Sequence, residues 1–143
     1  MADIQRLMLR AAGALNIWLY RSTGGRLMGR IRGVPVLLLT VAGRKTGAEH
    51  TTAVSYFKDG GSFVVTGSAG GSPSEPQWFR NLRRADHAVI EVGPRRIVVK
   101  VAIAGPEEHP VLWQKLIADA PFFDKYQTKV EREIPMAILT PAQ

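Results

Sequence analysis

The chain has 143 residues, 45% of them hydrophobic, with no cysteine and a formal net charge of +7. This length predicts one domain with a substantial core, and the lack of cysteine excludes disulfides, thiol redox chemistry and thiolate metal sites. The charge does not indicate a nucleic-acid-binding protein, because residues 1–33 hold six arginines against Asp3 alone, an excess of +5 that leaves +2 for the rest of the chain.

No apolar run reaches the roughly 20 residues that a transmembrane helix needs. Arg6 and Arg10 interrupt the apolar residues near the N-terminus, which is unlike the hydrophobic region of a signal peptide. We therefore expect a cytoplasmic protein without an export signal.

The first segment has the period of an amphipathic helix, with apolar side chains at steps of three and four: Ile4, Leu7, Met8, Ala11, Leu15, Trp18 and Leu19. Two interpretations stay open. The helix either packs its apolar stripe on the domain, or lies on an anionic membrane surface such as the inner face of the plasma membrane, with Trp18 at the headgroup level.

Residues 22–33 hold four glycines and no periodic pattern, and they predict a connector. We therefore divide the chain into an N-terminal segment, 1–33, and a domain, 34–143.

The rest of the chain predicts strands joined by short turns. Residues 34–41 form a continuous apolar run that is typical of a strand buried on both faces. A capping box at Ser74 and Gln77 predicts a helix through residue 83. The other predicted strands are 49–57, 62–67, 88–92, 95–103 and 134–139, and the other predicted helices are 105–120 and 122–128.

This order of elements predicts the fold class. Neighbouring strands are joined as hairpins rather than through crossover helices, which favours a mainly β, α+β protein: a split antiparallel β-barrel of about six strands with flanking helices. A Rossmann fold is disfavoured, because no Gly-x-Gly-x-x-Gly follows a strand and opens a helix.

The usual catalytic motifs are absent from the sequence. His50, His87 and His109 are far apart and lack metal-ligand spacing, so we expect no metal site. Neither a nucleophile elbow nor a Walker loop occurs. If the protein is an enzyme, a cofactor is then expected to supply the chemistry.

Three segments could bind such a cofactor. The basic turn Gly43-Arg-Lys-Thr-Gly47 offers two cations and glycine-flanked amides for an anion, although such a turn is often only a solvated loop. The small-residue stretch Ser68-Ala-Gly-Gly71 permits close approach of the backbone to a ligand. The segment Trp78-Phe-Arg-Asn-Leu82 provides an aromatic platform, or simply a core residue.

In this order, and with Pro-Phe-Phe-Asp-Lys-Tyr-Gln from Pro121 and Ile-Pro-Met from Ile134, the segments resemble the deazaflavin (F420)-dependent nitroreductase and quinone reductase family of actinobacteria. The resemblance spans residues 34–141. It implies a split barrel related to flavin-binding, pyridoxamine-oxidase-like proteins, with reduced coenzyme F420 lying in a groove against the barrel.

Residue by residue, the resemblance implies a cofactor-binding set: Arg44, Lys45, Thr46, Gly47, His50, Ser68, Ala69, Gly70, Gly71, Trp78 and Asn81. The basic turn would pair with the anionic phosphate and oligoglutamate tail. His50 and Ala69 depart from the family pattern, which often has arginine at the first position and lysine or asparagine at the second. Phe123 stands where tyrosine is frequent.

The resemblance also implies the reaction. A hydride from C5 of the deazaflavin would pass to an electron-poor carbon of a quinone, nitroaromatic or coumarin-type lactone, and Tyr126, Ser68 or water would give a proton. Trp78, Phe123 and Tyr126 are the expected substrate-binding residues, and Phe122 and the first helix complete an apolar mouth.

Three alternatives remain at this stage. A barrel of this kind could bind FMN, since a basic turn accepts one phosphate as readily as a longer anionic tail. It could store or present the cofactor at a membrane surface without catalysis. A barrel that binds single-stranded nucleic acid is disfavoured because few aromatic and basic residues interleave on the strands. We expect a small-molecule substrate and no nucleic-acid partner, and the sequence does not indicate the oligomeric state.

Overall fold

The computed structural model of the protein describes residues 13–31, 33–68 and 71–142. The strands are β1 (Arg30–Ile31), β2 (Val34–Ala42), β3 (Glu49–Asp59), β4 (Ser62–Thr66), β5 (His87–Val92), β6 (Arg95–Ile103) and β7 (Met136–Pro141). The helices are α1 (residues 13–22), α2 (Gln77–Arg83), α3 (Glu108–Asp119) and α4 (Phe122–Lys129).

Six of these strands form a closed antiparallel barrel in the order β2-β3-β4-β7-β6-β5, and β5 pairs back onto β2. The predicted fold class, a six-stranded antiparallel barrel with flanking helices, is confirmed.

The prediction that residues 22–33 contain no element is wrong, because β1 pairs with the start of β2 through Arg30 and Pro35. A two-residue strand leaves no periodic signal in the sequence.

Strand β2 is buried on both faces because each face packs on a different partner. Leu37 and Leu39 point into the barrel core, whereas Val36 and Leu38 pack against Tyr20 of α1. Three consecutive leucines are therefore almost fully buried. The continuous apolar run predicted this two-sided burial correctly.

Helix α1 is fixed to the barrel by Tyr20, whose side chain is only 2% exposed. The Tyr20 hydroxyl accepts from the N–H of Gly93 at 2.8 Å and donates to the carbonyl oxygen of Val36 at 3.0 Å or of Glu91 at 3.1 Å. Arg21 adds a bidentate ion pair with Glu91. The end of the amphipathic helix therefore packs on the domain.

The outer side of α1 remains exposed at Leu15 and Trp18. Its predicted apolar positions Ile4, Leu7, Met8 and Ala11 lie outside the described residues. Within the described chain, no helix combines the length and the hydropathy needed to cross a bilayer.

Several predicted boundaries differ from the structure by up to three residues, and two of these differences have identifiable reasons. The predicted capping box at Ser74 and Gln77 does not form. The N-cap of helix α2 is Pro76, and Gln77 is the first helical residue. The amide oxygen of Gln77 accepts from Arg44 instead. Strand β7 starts two residues later than predicted. Pro135 cannot donate to a strand ladder, and the N–H of Ile134 donates to Gln127.

The Tyr20 anchor generates a prediction. Tyr20→Phe should lower the free energy of unfolding at pH 7 by about 1–2 kcal/mol, because the N–H of Gly93 loses its acceptor and the carbonyl oxygens lose their donor. Urea denaturation of both proteins measures this difference, and a difference below a few tenths of a kcal/mol would refute the anchor.

The same pair of proteins should show a pH dependence. Burial raises the pKa of Tyr20 above its ordinary value. The folded state therefore holds this proton more tightly than the unfolded chain, and the stabilisation is present below about pH 10 and lost as the pH rises through the folded pKa. The stability gap between the two proteins should narrow above about pH 10.

Candidate functional site

The turn between β2 and β3 faces helix α2 across a cavity of about 640 Å³. The turn, residues 43–48, supplies the cations, and α2 supplies an indole and two amides. Thr52 and His50 share one face of β3, because side chains two apart on a strand point the same way. The described lining consists of Gly43, Arg44, Lys45, Thr46, His50, Thr52, Gln77, Trp78 and Asn81.

Arg44 is held in this cavity by two side-chain amides of α2. Its Nη1 donates to Oδ1 of Asn81 at 2.7 Å, and its Nη2 donates to Oε1 of Gln77 at 2.8 Å. The backbone N–H of Arg44 also donates to Oδ1 of Asn81, at 3.1 Å. Gln77 and Asn81 are four residues apart, so they lie on the same face of α2.

These partners leave the guanidinium charge unbalanced. Amide oxygens are neutral, so they orient Arg44 without cancelling its positive charge. Lys45 is exposed and makes no hydrogen bond or ion pair with the described part of the chain. No carboxylate is present in the described lining of the cavity. The arrangement therefore favours an anion bound beside Arg44 and Lys45.

The backbone of the turn is partly used by the turn itself. The N–H of Gly47, expected to serve a ligand, donates to the carbonyl oxygen of Gly43 at 2.8 Å. The N–H of Ala48 donates to the Thr46 hydroxyl oxygen at 3.2 Å. Gly47 has a φ of +77°, which favours glycine. The ligand-directed donors of this turn are therefore mainly side chains.

Trp78 gives the cavity an aromatic wall. It is half-buried and packs edge-on against Phe79, with the ring centroids 5.4 Å apart. Phe79 in turn packs against Gly67, where an added Cβ would lie 2.9 Å from the Phe79 ring. Helix α2 thus directs Trp78 to the cavity and Phe79 to the start of the loop that follows β4.

A second group of predicted residues lies around that loop rather than on the described lining of the cavity. Ser68 is 8% exposed, and Gly71 packs tightly on α4, where an added Cβ would lie 3.3 Å from the Cα of Tyr126. Phe123 is 4% exposed and meets the Tyr126 ring edge-on at 5.5 Å. Phe123 therefore belongs to the core beneath Tyr126.

The structure thus brings together Arg44, Lys45, Thr46, His50, Trp78 and Asn81. It places Gly71, whose N–H donates to the carbonyl oxygen of Ser68, beside Tyr126. Ala69 and Gly70 lie outside the described residues. Sequence reasoning missed Gln77 as a partner of Arg44, although its spacing from Asn81 on α2 was a usable signal. Within the described chain, no group of three or more His, Asp or Glu side chains could hold a metal ion.

A neighbouring depression of about 680 Å³ lies between α1 and β3. Ile17 and Trp18 line it from the helix, and Thr51 lines it from the strand. His50 belongs to both this depression and the basic cavity. The outer face of α1 is therefore adjacent to the candidate site.

Comparisons with known proteins identify the family. A sequence profile of F420H(2)-dependent quinone reductase matches residues 13–141. The F420H(2)-dependent quinone reductase of Mycobacterium tuberculosis is 36% identical in an alignment of 146 positions that covers 96% of this chain and 98% of the relative.

Solved structures agree with the sequence comparisons. An F420-H2 dependent reductase, FDR-A, aligns with a TM-score of 0.67 and 25% identity, over 73% of this chain and 93% of its own. A protein described as a domain-swapped dimer shares the fold with a TM-score of 0.70 and 22% identity, over 96% of this chain and 97% of its own. The chain belongs to the F420H(2)-dependent quinone reductase family and is an oxidoreductase whose cofactor is reduced coenzyme F420.

Proposed function

We propose that this enzyme reduces small planar acceptors, quinones above all and also nitroaromatics and coumarin-type unsaturated lactones, and that the basic cavity binds the anionic part of its cofactor. The observation that carries the proposal is the pair of cations, Arg44 and Lys45, in a lining that has no described carboxylate. An anionic tail would supply the missing negative charge.

The residues of the cavity fit such a tail. Phosphate and carboxylate oxygens need cations and N–H or O–H donors. Arg44 offers a guanidinium that is oriented before any ligand arrives, and Lys45 offers an ammonium that can adjust its position. Thr46 adds a hydroxyl donor. Asn81 and Gln77 then serve as the residues that orient Arg44, and Asn81 keeps its amide N–H groups for a ligand.

The cofactor ring and its surroundings complete the site. When bound, reduced deazaflavin supplies the hydride. The indole of Trp78 offers a flat apolar surface beside the ring, and the backbone at Ser68 and Gly71 offers close approach where side chains are small. In this assignment the chain binds and orients the cofactor, and it shields the reacting atoms from water.

The depression beside α1 suits the acceptor. Trp18 is 62% exposed and Ile17 lies beside it, so this wall is apolar. Planar apolar acceptors bind preferentially in such concave apolar places. His50 lies between the two sites and can donate a hydrogen bond to a carbonyl oxygen of the acceptor. The acceptor would then lie between α1 and the cofactor ring.

The proton for the reduction is assigned to Tyr126 or Ser68, with water as the alternative source. Reduction of one quinone to a hydroquinone takes up one hydride and one proton. A proton donor must therefore be within reach of the acceptor. The phenol of Tyr126 carries an O–H group that can donate. Phe123 supports the Tyr126 ring from the core, which keeps the ring in place.

FMN binding on the same barrel remains the alternative, because Arg44 and Lys45 would accept its single phosphate. The family assignment favours the deazaflavin. A non-catalytic protein that stores the cofactor would use the same cavity but would not oxidise the reduced cofactor when an acceptor is present.

We further propose that the N-terminal segment contacts the membrane surface. Seven large hydrophobic side chains are exposed in the described chain, and five of them fall within residues 15–31: Leu15, Trp18, Leu27, Met28 and Ile31. Arg26 and Arg30 lie among them and would meet anionic lipid headgroups. An apolar acceptor dissolved in the bilayer could then reach the depression beside α1.

Binding and turnover test the assignment of the cavity. Lys45→Ala should weaken binding of coenzyme F420 about tenfold, because a charge-assisted contact is lost, whereas Lys100→Ala, which removes an exposed lysine of β6, should not. Fluorescence titration measures the affinities, and oxidation of the reduced cofactor with a panel of quinones and coumarins measures turnover. Equal affinity in both variants would count against the cavity, and tight binding of FMN in place of F420 would establish the alternative.

Tyr126→Phe separates proton donation from binding. The variant keeps the ring and loses the hydroxyl, so turnover should fall about tenfold or more while F420 affinity stays within about twofold. Single-turnover oxidation of bound reduced cofactor by a quinone gives the rate. Unchanged turnover would transfer the proton role to Ser68 or solvent, and Ser68→Ala measures the share of Ser68.

Flotation with liposomes tests the membrane contact. The full chain should float with vesicles that contain about 30% anionic lipid and should be released at high salt, as expected for charge-assisted interfacial binding. Trp18→Ser together with Leu15→Ser should reduce flotation several-fold without changing F420 affinity. Flotation of wild type and variant to the same extent would contradict this contact.

A further inference from the structure

One side chain from a distant segment holds the loop between β4 and α2. Arg132 donates from Nε to the carbonyl oxygen of Ser72 at 3.1 Å, and from Nη2 to those of Ser68 at 3.2 Å and Ser74 at 3.4 Å. These three carbonyls are spread over residues 68–74, about 60 residues from Arg132 along the chain. The guanidinium therefore fixes the carbonyl groups of Ser68, Ser72 and Ser74 relative to one another.

Arg132 is itself held in place from α4. Nε2 of Gln127 donates to the carbonyl oxygen of Arg132 at 2.8 Å, and Oε1 of Gln127 accepts from the N–H of Ile134 at 2.9 Å. The N–H of Gly67 donates to the carbonyl oxygen of Pro135 at 2.9 Å. The segment that carries Arg132 is thus tied both to α4 and to the start of the loop.

Two features of Arg132 set it apart from an ordinary structural arginine. The ion pairs of the described chain do not include Arg132, so its charge is not neutralised by a bonded carboxylate. Its Nη1 is buried and makes no hydrogen bond with the described residues. A buried donor without an acceptor is costly. The bonds of Arg132 to three loop carbonyls must therefore stabilise the protein by more than the unsatisfied Nη1 costs.

The effect of Arg132 on a nearby carboxylate, Glu75, does not change this conclusion. Glu75 is bonded to Arg83, with two oxygen–nitrogen distances of 2.9 and 2.8 Å. The pKa of Glu75 is lowered mainly by its hydrogen bond to Arg83, with a smaller contribution from the charge of Arg132. Arg132 therefore acts on the loop through main-chain carbonyls.

We propose that Arg132 is a positioning residue of the cofactor site, which fixes the main-chain carbonyls of Ser68, Ser72 and Ser74 and so holds the backbone of these residues in the form that meets the cofactor. This proposal rests on the proposed function, because the same loop carries Ser68 and Gly71. The planar guanidinium, with donors at fixed angles, can bond three carbonyls at once, whereas a lysine ammonium is a single point of charge. Arg132→Lys should therefore keep the charge and lose the geometry.

The test compares Arg132→Lys and Arg132→Gln with Arg96→Gln, a matched variant that removes an exposed arginine of β6. Amide hydrogen exchange of the ligand-free protein should rise about tenfold in peptides that cover residues 67–76, where the N–H of Gly71 donates to Ser68. Exchange across residues 87–103 should stay the same, which shows that the barrel remains folded. Arg96→Gln should match wild type in both regions.

Ligand measurements distinguish positioning from simple support of the fold. The dissociation constant of F420 and its KM should rise about tenfold in Arg132→Lys and further in Arg132→Gln, while kcat at saturating cofactor stays within about twofold. A rise in loop exchange with unchanged F420 affinity would overturn the proposal and leave Arg132 as a structural residue. Unchanged exchange in both variants would also overturn it.

The wild-type arm separates this proposal from the proposed function. If wild type binds F420 and the Arg132 variants bind equally well, only the positioning role fails. If wild type does not bind F420, the proposed function fails and the positioning role fails with it. Should Arg132→Gln unfold, which increased exchange across residues 87–103 would show, Arg132→Lys alone decides the outcome.

Discussion

The candidate site depends on how Arg44 is held. An arginine bonded to a carboxylate would be fixed in place but electrically neutral, whereas Arg44 is bonded to the amide oxygens of Asn81 and Gln77. Helix α2 thereby orients the guanidinium and leaves its charge to act on a ligand. The turn alone could not do this, because its own hydrogen bonds stabilise its shape and leave the Arg44 side chain unsupported. The site thus requires both the barrel turn and the helix.

The barrel brings these parts together through its connections. Strand β2 ends at the basic turn and β3 begins there. The long connection from β4 to β5 carries the loop and α2 back to the same place. Arg132 then ties this connection to the segment before β7. Residues far apart in sequence therefore converge at one side of a rigid sheet, as expected for sites built on loops that a scaffold positions.

The sequence predicted what is encoded locally. Alternation along residues 95–103 and the glycine-rich turns identified most strands within two residues, because strand period and turn chemistry are local properties. Resemblance to a family, rather than spacing, grouped Arg44 with Trp78 and Asn81. The partnership of Arg44 with Gln77 and the bonds of Arg132 to the loop were not predicted, since they join residues more than 30 and more than 50 positions apart. Long-range polar pairs leave no periodic trace.

The two-sided burial of β2 also determines how the register of this strand is specified. In most half-buried strands, a slip by one residue moves apolar side chains into water and is thereby prevented. In β2 both faces are apolar, so a slip would simply exchange Leu37 and Leu39, which face the barrel, with apolar neighbours such as Val36 and Leu38, which face α1. Polar bonds must then select the alignment. The paired side-chain hydroxyls of Thr40 and Thr51, 2.8 Å apart, favour the observed alignment of β2 with β3.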